Sequence, residues 1–380
     1  MKRLLFKLME HINKAPIKSG IKVGLAISLF IGVFFFVSWW NTPLGTELEK
    51  ITGTPEKSMF QSASEETLIP EVKTSPEIEK TEFPTETVDL FPSATPPPET
   101  LCGGPETMYI LVTGVESENY IYGLSDAIRV VRVDFVNGKI TVLPLPRDMY
   151  VSIPVAIPGI TEFYTNGKLN QAYFYGSPGM GYYEGEDHAP GLLAITIGQN
   201  FNLRIDQYIS VNTRIFRRMV DQIGGVDVYL PDDIYGHYFK EPVLYQKAGS
   251  HHLDGKQAEM VARHRTLIGD FGRVRNQTIL FKAFIKALLT PEGIKNLPGL
   301  IEIYRNNVLM DFTPNEISKL LCLIAKIDLN DDIVFTEFPQ QMLEEGRVYD
   351  KVQGSNMYVL LPDHELVVGL IADFQQGRWP

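Results

Sequence analysis

From Gly24 to Trp40 the chain reads GLAISLFIGVFFFVSWW, an apolar run with no charge and no proline. Extended back to Ile21 it reaches about 20 residues, the length a helix needs to cross a hydrocarbon core of about 30 Å. Lys22 lies near its start, where a long stem lets the ammonium reach the headgroups. Trp39 and Trp40 close it, and indole rings favour a membrane–water interface. Before the run stand Lys2, Arg3, Lys7, Lys14 and Lys18 against one acid, Glu10, and the stretch after it is acidic. The pattern predicts a cytoplasmic basic tail over 1–20, a single transmembrane helix over 21–40, and everything after Trp40 on the extracytoplasmic side of the cell membrane. A cleaved signal peptide is the competing reading, but its apolar stretch would be about 7–15 residues and would end in small residues instead of tryptophans.

Residues 41–104 are rich in Pro, Thr, Ser and Glu and include FPSATPPPET. Apolar positions there are sparse and aperiodic, too few to offset the entropy of ordering the chain. The segment is expected to be a disordered stalk, and about 60 flexible residues span on the order of 40 Å. Globular patterning starts at 105 and continues to 380. MYILVTGV is a buried-strand run, and AIRVVRVDFVNGKITVLPLP alternates on either side of Asn137-Gly138, a type I′ hairpin signal. GLLAITIGQNF, TRIFRRMVDQIGG, DGKQAEMVARHR (with Asp254 as cap) and GRVRNQTILFKAFIKALLT have helical period, while DQYISVN and VDVYLP read as strands. The order predicts an α/β fold of three layers, α-β-α, with a central mixed sheet covered by helices. Its core is expected over about 108–290.

Composition narrows the function. The net charge of −11 argues against a nucleic-acid partner, which calls for a basic face. With only two cysteines the chain is no disulfide scaffold. A Cys102–Cys322 bridge would pin the start of the domain to its end, and two unpaired thiols are the alternative. His251 and His252 lack partners at ligand spacing and read as surface residues.

Charge appears in three places where a core pattern would not ask for it. Glu116 and Asp126 sit at strand edges around one loop, either as a pair of hard oxygen ligands for a divalent cation or as solvated acids. Arg147 and Asp148 follow prolines that stop a strand, either as a phosphate-gripping fork or as a local surface pair. In VARHRTLIGDFGRVRNQ, Arg263 and Arg265 end one helix and Arg273 and Arg275 begin the next, with Asp270 at the turn. Converging guanidinium groups repel one another unless an anion fills the site, and a helix N-terminus adds to it; a solvated basic face is the alternative. No P-loop, nucleophile elbow, HExxH helix or zinc set is present. The equipment suits polyphosphate chemistry, which needs charge neutralisation more than a protein nucleophile.

The fixed order GVE…LSDAIRVVRVDFVNGKITVLPLPRDMYV, KLNQAY, YISVNTRIFRRMVDQIGGVDVYLP and LDGKQAEMVARHR…GDFGRVRNQ resembles the LytR-CpsA-Psr family from about Met108 to at least Leu289. The resemblance implies a phosphotransferase of the cell envelope that moves a glycopolymer from a polyprenyl-pyrophosphate carrier onto a muramic acid hydroxyl of peptidoglycan. By the same resemblance Glu116 and Asp126 would hold Mg²⁺ (or Mn²⁺). Arg147, Arg263, Arg265, Arg273 and Gln277 would grip the pyrophosphate, with Asp148 and Asp270 orienting the arginines. Lys168 and Asn170 would shape the pocket wall, and an apolar groove would take the prenyl tail. Three positions depart from the family's pattern: Glu116 stands for Asp, Leu124 for the Arg before Ser125-Asp126, and Asn276 for Arg before Gln277. Arg275 is the neighbour expected to compensate for the last. A carrier phosphatase and a non-catalytic carrier- or polymer-binding protein are the alternative readings.

Overall fold

The computed structural model describes residues 40–47, 98–238, 241–264, 269–305 and 307–379. Apart from Trp40, the apolar run expected to span the membrane lies outside them. Among the described residues no helix is long and apolar enough to cross a membrane.

In chain order the first half holds β1 (Thr107–Val115), β2 (Ser125–Asp134), β3 (Lys139–Pro144), β4 (Tyr150–Ile153), β5 (Thr165–Lys168), α1 (Leu169–Tyr175), α2 (His188–Phe201), β6 (Gln207–Asn212) and α3 (Thr213–Gln222). There follow β7 (Val226–Leu230), β8 (Ile234–Tyr238), β9 (Glu241–Gln246), β10 (Gly249–Leu253), α4 (Gly255–Arg263), α5 (Asp270–Leu288) and α6 (Pro291–Arg305). The last part contributes β11 (Leu309–Met310), α7 (Pro314–Ile324), β12 (Ile333–Phe335), β13 (Leu343–Asp350), β14 (Ser355–Pro362) and α8 (His364–Gln375).

The central sheet has the order β11-β6-β1-β2-β3-β12. It is mixed: β1 runs parallel to β6 and antiparallel to β2, and β3 is antiparallel to β2 but parallel to β12. Nearly every residue of β2 is buried, as a strand covered on both faces requires. On one face Leu111, Val130 and Leu143 pack with Tyr173 of α1, Leu192 of α2 and Ile371 of α8. On the other, Ile110, Val131 and Val142 pack with Leu323 of α7 and Phe281 of α5. A third cluster joins α3, α4, α5 and the β7–β10 pair through Val220, Val228, Ala258 and Leu280. The mixed α/β fold matches the sequence expectation, but its sheet outruns the 108–290 stretch, because both edge strands, β11 and β12, come from beyond it.

The β2–β3 hairpin differs from the expected type I′ turn. Gly138 has φ of 66°, but Asn137 is not among the positive-φ residues, which a type I′ turn would require. Asp134 decides the geometry instead. Its carboxylate accepts from the backbone N–H of Val136 and Asn137 and from the Asn137 side chain, holding the loop in a local cap.

The two ends of the expected 41–104 stalk lie on the domain, while 48–97 falls outside the described residues. The Leu44 N–H donates to the Phe312 carbonyl at 2.8 Å, and the Tyr208 hydroxyl donates to the Thr46 carbonyl at 2.8 Å. Gly45 sits so close to the strand that a Cβ there would meet the Met310 carbonyl oxygen at 1.9 Å. At the other end a single 3-10 turn, Leu101–Gly103, carries Cys102, which is bridged to Cys322 of α7 across 220 residues. Such a bridge restricts the unfolded chain and suits an oxidising compartment. Cys102→Ser is therefore expected to lose about 2–4 kcal/mol of stability. Urea unfolding with and without reductant checks this: reductant should bring the parent's midpoint to the variant's and leave the variant unmoved.

Candidate functional site

The β1–β2 ladder brings the first two acids together. Register shifts between Gly114 and Val115, so that Val115 lies opposite Ser125, and the chain turns outward at Glu116. The Glu116 N–H donates to the Leu124 carbonyl at 3.0 Å, closing the loop that presents Glu116 beside Asp126. Pro144 and Pro146 end β3, and the turn after them holds Arg147 and Asp148. Backbone bonds fix that turn from two sides. Asn170 and Leu169 at the start of α1 donate to the carbonyls of Arg147 and Met149, and Leu360 of β14 donates to that of Asp148.

Asp126 is the centre of the network. Arg147 Nη1 donates to its Oδ1 at 2.5 Å and Arg273 Nη1 to its Oδ2 at 3.1 Å. Asp270, in the first turn of α5, faces both arginines, at 3.3 Å from Arg147 Nε and 2.5 Å from Arg273 Nη2. Asp148 lies 3.5 Å from Arg147 Nε and accepts from Lys168 Nζ at 2.7 Å. Arg273 and Arg147 are buried, so these charges interact in a medium that screens them little. Toward the exposed rim, Arg263 ends α4 and donates to Glu116 at 2.5 Å and to Glu259 at 3.0 Å. A cation in the last turn of a helix also complements its dipole.

Electrostatics split the two neighbouring acids. Burial raises the Glu116 pKa, and the hydrogen bond and charge of Asp126 add to that against the pull of Arg263. Burial works the same way on Asp126, but Arg147, the bond to Glu116 and Arg273 together hold its carboxyl below the ordinary value.

The remaining expectations divide. Lys168 meets the cluster through Asp148, and Asn170 through its backbone N–H to the Arg147 carbonyl. Gln277 faces the cavity and donates from Nε2 to the Ala262 carbonyl at 3.2 Å, without reaching the carboxylates. Arg275 does not compensate for Asn276: it turns away and pairs with Asp232. Asn276 is fully buried, with neither amide atom bonded within the described residues. Arg265 lies outside the described residues. Among them no group of three or more His, Cys, Asp or Glu side chains is placed to hold a metal, which leaves Glu116 and Asp126 as a pair of hard oxygens.

Behind the carboxylates opens a cavity of about 200 Å³, lined mainly by apolar side chains that include Val112, Val115, Phe216, Met219, Leu280 and Phe284. Glu116, Asp126, Arg263 and Arg273 border the same cavity. Sequence reading missed Glu259, which ties Arg263 to Arg217 and whose only signal was its place one helical turn before Arg263. It also missed Arg129, a charged residue in the middle of a nearly fully buried strand. Asp126→Asn would leave Arg147 and Arg273 facing each other with less counter-charge, and is expected to destabilise by about 3 kcal/mol at pH 7. Because the folded pKa of Asp126 is depressed, its stabilisation is present above the ordinary 3.8 and is lost as pH falls through the folded value. Denaturation of parent and variant in EDTA should therefore give midpoints that converge below pH 3.8.

The chain has relatives among known proteins. Regulatory protein MsrR from Staphylococcus aureus is 30% identical over 202 residues, covering 52% of this chain and 54% of that protein. A protein of Oceanobacillus iheyensis named polyisoprenyl-teichoic acid–peptidoglycan teichoic acid transferase TagU is 30% identical over 221 residues, 57% of this chain and 62% of its own. The chain thus spans little more than half the length of these relatives. Among solved structures, B. subtilis TagV superposes with a TM-score of 0.53 at 24% identity, over 72% of this chain and 99% of that one. Streptococcus agalactiae protein gbs0355 also gives 0.53, at 21% identity, over 72% and 89%. These two establish the likeness of fold. A model of the LytR_cpsA_psr family matches residues 74–366, well over half of the sequence, and the chain belongs to that family.

Proposed function

We propose that this protein is a phosphotransferase that moves a glycopolymer from a polyprenyl-pyrophosphate carrier onto a muramic acid hydroxyl of peptidoglycan. The observation that supports this most is the continuity of the charged cluster with the apolar cavity. A prenyl pyrophosphate is hydrocarbon at one end and anion at the other, and the site has the same division. The name of the TagU relative points to the same chemistry.

In this reading the acceptor oxygen attacks the sugar-side phosphorus, the P–O bond to the bridging oxygen breaks, and prenyl phosphate leaves as the hydroxyl proton is released. Arg147 and Arg273 lie where charge builds up on the phosphates. Held by Asp126 and Asp270, they need little reorganisation to stabilise it. Arg263 closes the rim over the sugar-side phosphate. Lys168 and Asn170 fix the Arg147 turn and form the wall. Glu116 and Asp126 fit Mg²⁺ or Mn²⁺ in donor chemistry, as two adjacent carboxylates with phosphate oxygens completing the shell. When bound, such an ion would supply further neutralisation of the pyrophosphate.

The 21–40 run would anchor the chain, keeping the domain on the extracytoplasmic side next to the carrier. A prenyl chain leaves the bilayer at a cost of about 0.8 kcal/mol per CH₂, so the site must work at the headgroups.

The test is a labelled polyprenyl-pyrophosphoryl oligosaccharide incubated with the full chain, Mg²⁺ and a peptidoglycan oligomer. Label on the oligomer is the expected result. Free phosphorylated sugar would mean hydrolysis, and tight binding without turnover a binding role. Arg263→Ala is expected to abolish turnover, and an unchanged rate would remove the arginine pocket from the mechanism. EDTA should stop transfer and Mg²⁺ restore it, with Glu116→Gln needing more metal than the parent for half-maximal rate.

A further inference from the structure

Arg129 sits in the middle of β2, paired in register with Val112 of β1 and Pro144 of β3, and it lines the apolar cavity. Only 5% of its surface is exposed. Every other described cation of the site has an acid: Arg147 and Arg273 share Asp126 and Asp270, Lys168 has Asp148, and Arg263 has Glu116 and Glu259. Arg129 has none among the described residues. Its Nη2 makes long contacts to the Val274 carbonyl (3.4 Å) and the Thr278 hydroxyl (3.3 Å) of α5, and its enclosed Nε has no hydrogen-bond partner there. Burial alone pulls its pKa down to about 10, so it still carries its charge at neutral pH. A buried guanidinium without a counter-ion is destabilising, and an apolar residue of similar size would suit β2 better.

We infer that Arg129 is a phosphate-binding residue, which takes the phosphate nearest the hydrocarbon chain of a prenyl pyrophosphate bound in this cavity. The inference rests on the pyrophosphate reading of the site above and assigns a residue to it. Leu124 leaves the loop side of the pocket without a guanidinium, while Arg129 presents one from the strand floor. Arg263, half-exposed, stands at the rim, while Arg129 is buried and borders the same cavity from within the sheet. Arg147 and Arg273 are already occupied by carboxylates. Among the described residues Arg129 is the site cation that a ligand meets without displacing an acid.

Two measurements on the detergent-solubilised full chain decide the matter. Affinity is measured for geranylgeranyl pyrophosphate and for geranylgeraniol, which share the hydrocarbon, and thermal unfolding is followed without ligand. The parent should prefer the pyrophosphate. Arg129→Met should lose at least tenfold in affinity for it, keep its affinity for the alcohol, and melt no lower than the parent. Arg129→Lys, which keeps the charge but loses the planar fork, should fall between the two and serves where the Met variant fails to fold. A parent that binds both probes alike overturns the pyrophosphate reading itself. A parent that prefers the pyrophosphate, with a preference that survives in both variants, overturns only the role of Arg129. A variant that melts lower with its preference intact gives Arg129 a structural role and equally removes the proposal.

Discussion

Asp126 stands between two guanidinium groups and pairs with both, one through each carboxylate oxygen. Arg147 comes from a turn after β3 and Arg273 from the first turn of α5, 126 residues apart in the chain, and both converge on one carboxylate at the start of β2. Without it the two cations would face each other across a site that excludes most water. Asp270 bridges the same two from the far side, making a four-centre arrangement of alternating sign. The sheet, the loop and the helix are therefore joined by charge where apolar packing stops.

This explains why the cavity is built in two halves. Aromatic and aliphatic side chains from α3 and α5 form the dry half, and the alternating charges form its boundary. A low-dielectric wall beside a charge cluster strengthens every interaction in the cluster, so the lining matters for the arginines as well as for hydrocarbon.

Much of this could be read from the chain because the chemistry-bearing residues sit at element ends. Asp126 opens a strand, Arg147 follows prolines, Arg263 closes a helix, and Asp270 and Arg273 begin one; each was marked by a break in the hydrophobic period. Residues within elements were less legible. Glu259 looks like a surface position of an amphipathic helix until Arg217 and Arg263 are seen on either side. Arg129 reads as a strand residue of the polar-out kind, and only the covering of β2 on both faces makes it buried. The compensation assigned to Arg275 failed for a geometric reason: helical neighbours diverge by about 100° around the axis, and Asp232 waited on that side. The edge strands β11 and β12 are two and three residues long, too short for any period to register.

The hold on Leu44 and Thr46 sets a limit on distance. Six residues separate Trp40 from Thr46, and even a fully extended chain covers only about 20 Å in that interval. If the apolar run ends at Trp40 in a bilayer, the domain is moored within about 20 Å of that surface. The described residues on either side of segment 48–97 are both fastened to the domain, one side at Met310–Phe312 and Tyr208 and the other through Cys102.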